Sequence, residues 1–385
     1  MESPSQQANA QGLAALRAGN AALAATHFTA AINADPGAGS LHRNLAHAHR
    51  LCGDDAGERA ALEGALTCDQ RDMQALIRLA QLHERRNERR DALHRWSAVV
   101  QLGAQIAAPS PDLVALLDHA AAYCAAQTEG LARQVAADIR PELDKVDPTS
   151  RRRATAFLDH ALGRRAIYRN ECAGIHYPFL PADEFFDAHH FPWFAALAAE
   201  TDAIRAELRA LLADPGDALR PYVRMEDGTP ESRWDSLNHN LAWGACFLWE
   251  YGAPNQPVLD RCPRTAAALS ALPGARIPGR APSAFFSILR PRTRIPPHTG
   301  VTNSRAIIHL PLIVPPGCGF RVGGETRAWV EGEPFAFDDT IEHEAWNDSD
   351  ALRAILIFDV WNPHLTDAER AVIADYCAIA DRAID

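Results

Sequence analysis

The sequence predicts a multidomain chain: an α-helical repeat solenoid, then an antiparallel all-β unit with flanking helices. Three observations carry this. The first 150 residues are rich in Ala and Leu, nearly free of strand signals, and repeat with a period of 34. From about residue 175, short β-branched and aromatic runs broken by Pro and Gly take over, as in antiparallel sheets. These runs are densest from Ser287 to Trp361, where His298 and His343 stand 45 residues apart. A small jelly roll brings such distant residues together at its open end.

A chain of 385 residues suggests two or three domains and ample core. Its formal net charge of -11 argues against a broad phosphate-binding surface, so no nucleic-acid partner is expected. The eight cysteines form no C-x-x-C pair and are expected as free thiols in a reducing compartment. The N-terminus shows no basic segment followed by an apolar run, and no apolar run approaches the roughly 18 residues of a membrane span. A cytoplasmic protein without membrane attachment is the expectation.

In the first segment, Gly12, Ala46 and Ala80 match, as do Gly19, Gly53 and Asn87. So do Phe28, Leu62 and Trp96, and Ala31, Ala65 and Val99. Small residues let paired helices approach, and large ones fill the gap between them. This resembles the tetratricopeptide repeat, about three copies over residues 8 to 104. Such a solenoid offers a concave face to a protein partner. After the break at Pro109 to Pro111, two helices are expected, Asp112 to Ala125 and Leu131 to Leu143. The boundaries read as a repeat domain over 1–150, a helical linker over 151–174 and a second domain over 175–385.

The run from His176 to Pro181 is extended, since Pro fixes that geometry. His189 and His190 invite a metal reading, but adjacent residues rarely both point into one site, so packing or capping is expected. Trp243 to Trp249 alternates as a strand does, and Cys262 to Leu272 makes a short helix.

No H-x-[DE], H-E-x-x-H, G-x-S-x-G or P-loop pattern occurs. What stands instead is His298-Thr299-Gly300 and, downstream, the run Phe337 to Trp346 around His343. Two neutral imidazoles can hold a divalent metal. Arg353 heads the apolar strand RAILIFDVW. An unpaired charge there costs several kcal/mol on roughly the scale for buried ions. Its planar fork suits a carboxylate partner.

Residues 283 to 370 resemble the aspartyl/asparaginyl β-hydroxylase family of 2-oxoglutarate-dependent dioxygenases, in the PHTG, TNSR, ETR-W-EG, FDD, EHE-W and FDVW-P-LT runs. The likeness thins between 175 and 282. It implies a double-stranded β-helix (jelly roll) that uses Fe(II), 2-oxoglutarate as cosubstrate and O2. His298 and His343 match the metal ligands, with Gly300 where most such enzymes carry an acid. Ser287 and Arg353 match positions that hold the distal carboxylate of 2-oxoglutarate, and His309 lines the same pocket. Arg305 shares a strand face with Ile307 and His309 and is expected beside the cosubstrate, holding any remaining charge. His298, His343 and Arg353 form the expected catalytic set. Asp338 and Asp339 either orient a metal histidine or shape a turn. Trp329, Trp346 and Trp361 are expected in the core. Where the family's animal members carry a second arginine, this chain has Ile307, and Cys262 has no evident cysteine neighbour.

The resemblance implies hydroxylation of an aliphatic carbon, foremost the β-carbon of an Asp- or Asn-type residue in a peptide or protein. The alternatives are a hydroxylase of a free amino acid or small metabolite, halogenation through the gap at Gly300, and a non-catalytic tetratricopeptide interaction scaffold.

Overall fold

The computed structural model describes residues 2–382. It divides into two compact units, one through Asp147 and one from Pro148 onward.

The first unit is wholly helical: α1 (Pro4–Arg17), α2 (Ala21–Ala34), α3 (Gly39–Leu51), α4 (Asp55–Cys68), α5 (Met73–Arg85), α6 (Arg89–Gly103) and α7 (Pro111–Leu143). Successive helices pack as neighbours. Asn20, Asp54 and Asp72 cap α2, α4 and α5 by accepting a backbone N–H. The 34-residue period has a direct physical cause. Phe28, Leu62 and Trp96 are each fully buried. Gly19, Gly53 and Asn87 sit at equivalent turns with φ of +76°, +71° and +57°, a conformation that only Gly and a few polar residues adopt readily. A Cβ on Gly12 would lie 2.6 Å from the Phe28 ring. This is the tetratricopeptide-like arrangement the spacing predicts. The two helices expected after Pro111 are instead one helix of 33 residues. Gly130 does not break it, because one glycine costs only about 1 kcal/mol relative to Ala.

The second unit opens with α8 (Pro148–Ala161). Residues 151–174, expected as a linker, are tied to this unit. Arg152 pairs with Glu325 at 2.7 Å, and the backbone of Glu171 and Ala173 bonds to Thr340 and Gly300. Further helices are α9 (Phe194–Ala199), α10 (Thr201–Ala213), α11 (Gln256–Leu259), α12 (Pro263–Ser270) and α13 (Asp367–Arg382). The strands are β1 (Arg220–Pro221), β2 (Trp243–Glu250), β3 (Ala253–Pro254), β4 (Ala284–Leu289), β5 (Thr293–His298), β6 (Arg305–Ile313), β7 (Cys318–Val322), β8 (Glu325–Arg327), β9 (Phe335–Phe337), β10 (His343–Asn347) and β11 (Arg353–Trp361).

They form two antiparallel sheets. One runs β1-β2-β4-β11-β6-β9, with β3 on β2; the other runs β5-β10-β7-β8. Leu289 and Ile355 of the larger sheet share a core cluster with Ile295, Phe320, Val322 and Ala345 of the smaller. The outer face of the larger sheet buries Ile308 and Leu310 with Ile204 and Leu208 of α10. Cys246 and Cys262 meet in that second core, contrary to the expectation that Cys262 has no cysteine near it. Burial pushes their thiols up to about 12 and about 11, so both stay protonated.

Candidate metal and cosubstrate site

Strand pairing places the two expected ligands together. His343 on β10 stands opposite His298 on β5, with ring centroids 4.0 Å apart. The Nδ1–H of His298 donates to the Pro296 carbonyl at 2.8 Å, and that of His343 to the Ile341 carbonyl at 3.0 Å. A carbonyl can only accept, so each Nε2 keeps its lone pair. Burial lowers both pKa values, that of His343 well below the usual histidine value, with His298 adding repulsion. Two neutral imidazoles with fixed tautomers and free Nε2 atoms suit a divalent metal.

The histidines face a cavity of about 390 Å³ between the sheets, which Ser287, Arg305, Ile307, His309 and Arg353 also line. Arg353 is 1% exposed. Its guanidinium donates to Ser287 Oγ at 3.3 Å and lies 4.5 Å from the Trp329 ring centroid. Its Nε has no partner. Burial pushes its pKa down to about 9, so it remains charged at neutral pH. A buried cation with unfilled donors fits a carboxylate ligand. His309 is also buried, with Nδ1 unpartnered.

Arg305 departs from expectation. It lines the cavity, but its guanidinium is paired with Asp359. Asp359 is 3% exposed and also accepts from the Ser283 N–H at 3.0 Å. Arg305 is therefore neutralised and holds no spare charge for a ligand.

The two aspartates differ, and neither side chain bonds to a histidine among the described residues. Asp338 shapes the turn: it accepts from Thr340 Oγ1 at 2.6 Å and Asn170 Nδ2 at 2.7 Å, and burial pushes its pKa up to about 6. Asp339 lines the cavity, with burial pushing it up to about 7. A Cβ on Gly300 would lie 2.1 Å from Asp339 Oδ2. The Asp339 carboxylate thus packs against Gly300 and leaves no room there for a side chain.

Sequence reasoning missed the aromatic wall. Trp234 meets the His298 ring edge-on at 4.9 Å. Trp243 donates its Nε1–H to Ser287 Oγ at 3.1 Å, and Tyr222 stacks on it at 4.0 Å. A strand pattern announces a buried Trp but not the partner of its N–H. His189 and His190 do not line the cavity; His190 packs near His364 and Phe191.

Among the described residues, one trio of metal-capable side chains has its ligand atoms within 4.8 Å of one another: His83, Glu88 and Asp91 in the first unit. Glu88 there already accepts from His83 at 2.7 Å and Arg59 at 2.6 Å.

Paired antiparallel sheets with facing histidines and a buried arginine define a candidate site for a metal and an anion. Comparison with known proteins supplies the family. Residues 198–363 match the aspartyl/asparaginyl β-hydroxylase family model. The mouse protein of that name is 39% identical over 138 residues, which cover 35% of this chain and 18% of the relative. The ornithine lipid ester-linked acyl 2-hydroxylase of Rhizobium tropici is 31% identical over 196 residues, 50% of this chain and 66% of the relative. The second unit of this chain therefore belongs to the aspartyl/asparaginyl β-hydroxylase family. The match spans about a fifth of the length of the animal hydroxylases.

Solved neighbours cover the first unit. They include the first tetratricopeptide domain of Spaghetti (RPAP3) bound to an HSP90 peptide, at TM-score 0.28 and 16% identity over 32% of this chain and 96% of that one. The Aspergillus fumigatus Sgt2 domain is similar at TM-score 0.27 and 18% identity, over 30% and 76%. At these scores the repeat assignment rests on the helix pairs and their turns.

Proposed function

We propose that the second unit is an Fe(II)- and 2-oxoglutarate-dependent dioxygenase that hydroxylates an aliphatic carbon, foremost at the β-position of an Asp- or Asn-type residue in a peptide. The observation that carries this is one cavity holding two neutral histidines with free Nε2 atoms and a buried, carboxylate-free Arg353. His298 and His343 hold the metal; Arg353 and Ser287 bind the distal carboxylate of 2-oxoglutarate, with His309 beside them. Bound iron supplies O2 activation coupled to oxidative decarboxylation of 2-oxoglutarate to succinate and carbon dioxide. The protein orients the cosubstrate and keeps bulk water out of a cavity walled by Trp234, Trp243 and Phe320. Two antiparallel sheets that share one core support the reading as a double-stranded β-helix.

The substrate end of the cavity carries little free charge. Ile307 is apolar, and Arg305 is neutralised by Asp359. This favours an amide or apolar group over a second carboxylate, since stranding a buried charge is costly. The same observation favours one alternative, an acyl chain, given the aromatic lining of Tyr222, Phe247 and Phe285. Among the described residues no helix is long and apolar enough to cross a membrane; we assign the protein to the cytoplasm and give the repeats a protein partner.

The test is succinate formation by iron-loaded protein, with Asn peptides, Asp peptides and acyl amides compared by product mass. No 2-oxoglutarate turnover under any condition would leave the scaffold reading. Efficient hydroxylation of Asp peptides over Asn peptides would overturn the substrate assignment.

A further inference from the structure

Trp329 lies beyond β8 and is 6% exposed. Phe320 stacks on it with centroids 5.7 Å apart and planes 20° from parallel. The Arg353 guanidinium lies 4.5 Å from its ring centroid. Its Nε1–H is buried and has no acceptor among the described residues. A buried donor without an acceptor is expensive and calls for a reason.

The surrounding groups supply one. Arg353 Nε is likewise buried and unpartnered. Ser287 Oγ already accepts from Trp243 Nε1 and Arg353 Nη1, which leaves its own proton to donate. All of these residues line the same cavity. The donors gathered there lack an acceptor, as expected where an anion completes the structure.

We infer that Trp329 is a binding residue for the anionic cosubstrate: its face supports the Arg353 guanidinium and its indole N–H donates to the ligand carboxylate. The inference rests on the dioxygenase reading and extends it to a residue predicted as core. Trp243 differs, because its N–H is already taken by Ser287.

The test is calorimetric titration of 2-oxoglutarate into the full chain loaded with Zn(II). Trp329→Phe keeps an aromatic face and removes the N–H. Its Kd should rise roughly ten-fold, the scale for a hydrogen bond to a charged group. Trp329→Leu also removes the face and should weaken binding further. A wild-type Kd in Trp329→Phe overturns this inference and leaves the dioxygenase reading intact; no binding by the wild-type protein overturns both. Should Trp329→Phe not fold, the indole N–H spectrum of the Trp243→Phe chain decides. One indole signal should move downfield on adding 2-oxoglutarate, and no movement overturns the inference.

Discussion

Asp339 occupies the space that any side chain at position 300 would need, its Oδ2 only 2.1 Å from where a Cβ on Gly300 would stand. The position that carries an acid in most such histidine motifs is therefore kept small by packing against Asp339, four residues before His343.

Gly300→Ala should destabilise the protein by about 1–3 kcal/mol, the scale of overpacking. Adding Asp339→Ala should restore most of the loss. A urea-unfolding double-mutant cycle measures the coupling; additive effects would show that the two positions do not collide.

His298→Ala or His343→Ala should each abolish tight binding of Fe(II) or Co(II), with the circular dichroism spectrum unchanged. His343 is buried beside Phe320 and Phe337, but its imidazole donates only locally, to the Ile341 carbonyl, and its strand pairing is made by the backbone. Retained Co(II) affinity in both variants would place the metal elsewhere.

Arg353→Met separates binding from stability. Burying an unpaired charge costs several kcal/mol, against roughly 2 kcal/mol from a desolvated cation–π contact. The ligand-free variant should therefore be more stable than wild type by about 1 kcal/mol, yet gain no stability from 2-oxoglutarate. Ser287→Ala should weaken the cosubstrate less, since a neutral hydrogen bond is worth about 1 kcal/mol. Thermal melts with and without 2-oxoglutarate measure all three.

The first unit should be acid-sensitive through Glu88. Hydrogen bonds from His83 and then Arg59 hold its carboxyl down to about 2. A depressed carboxylate pKa contributes stability that is full above the unfolded value near 4.5 and is lost as pH falls towards 2. Glu88→Gln should flatten the fall in urea midpoint between pH 5 and 2.5. An unchanged slope would assign the acid loss to other carboxylates.

Much of this fold was legible because its causes are local. The turns at Gly19, Gly53 and Asn87 recur at the sequence period, and the alternation of Arg305, Ile307 and His309 follows from strand geometry. The neighbouring positions of His298 and His343 came from motif resemblance, and the β5–β10 register accounts for them. The rest depended on tertiary partners. Arg305 looked available because Asp359, 54 residues away on a neighbouring strand, gives no sign of pairing with it. Asp339 and Gly300 meet only once β5 and β10 pair. The single helix α7 runs on through residues 126–130, which separate the two helices expected from the sequence.

The register that unites His298 and His343 has a consequence during synthesis. Four strands, β6 to β9, separate β5 from β10 in the chain, so the second histidine leaves the ribosome long after the first. Until β10 zips onto β5, the chain presents one histidine of the pair, and a single imidazole grips a cation weakly. Metal capture should thus come late, after the sheet has closed, and the nascent chain is spared an early cross-link that would lock in a wrong register.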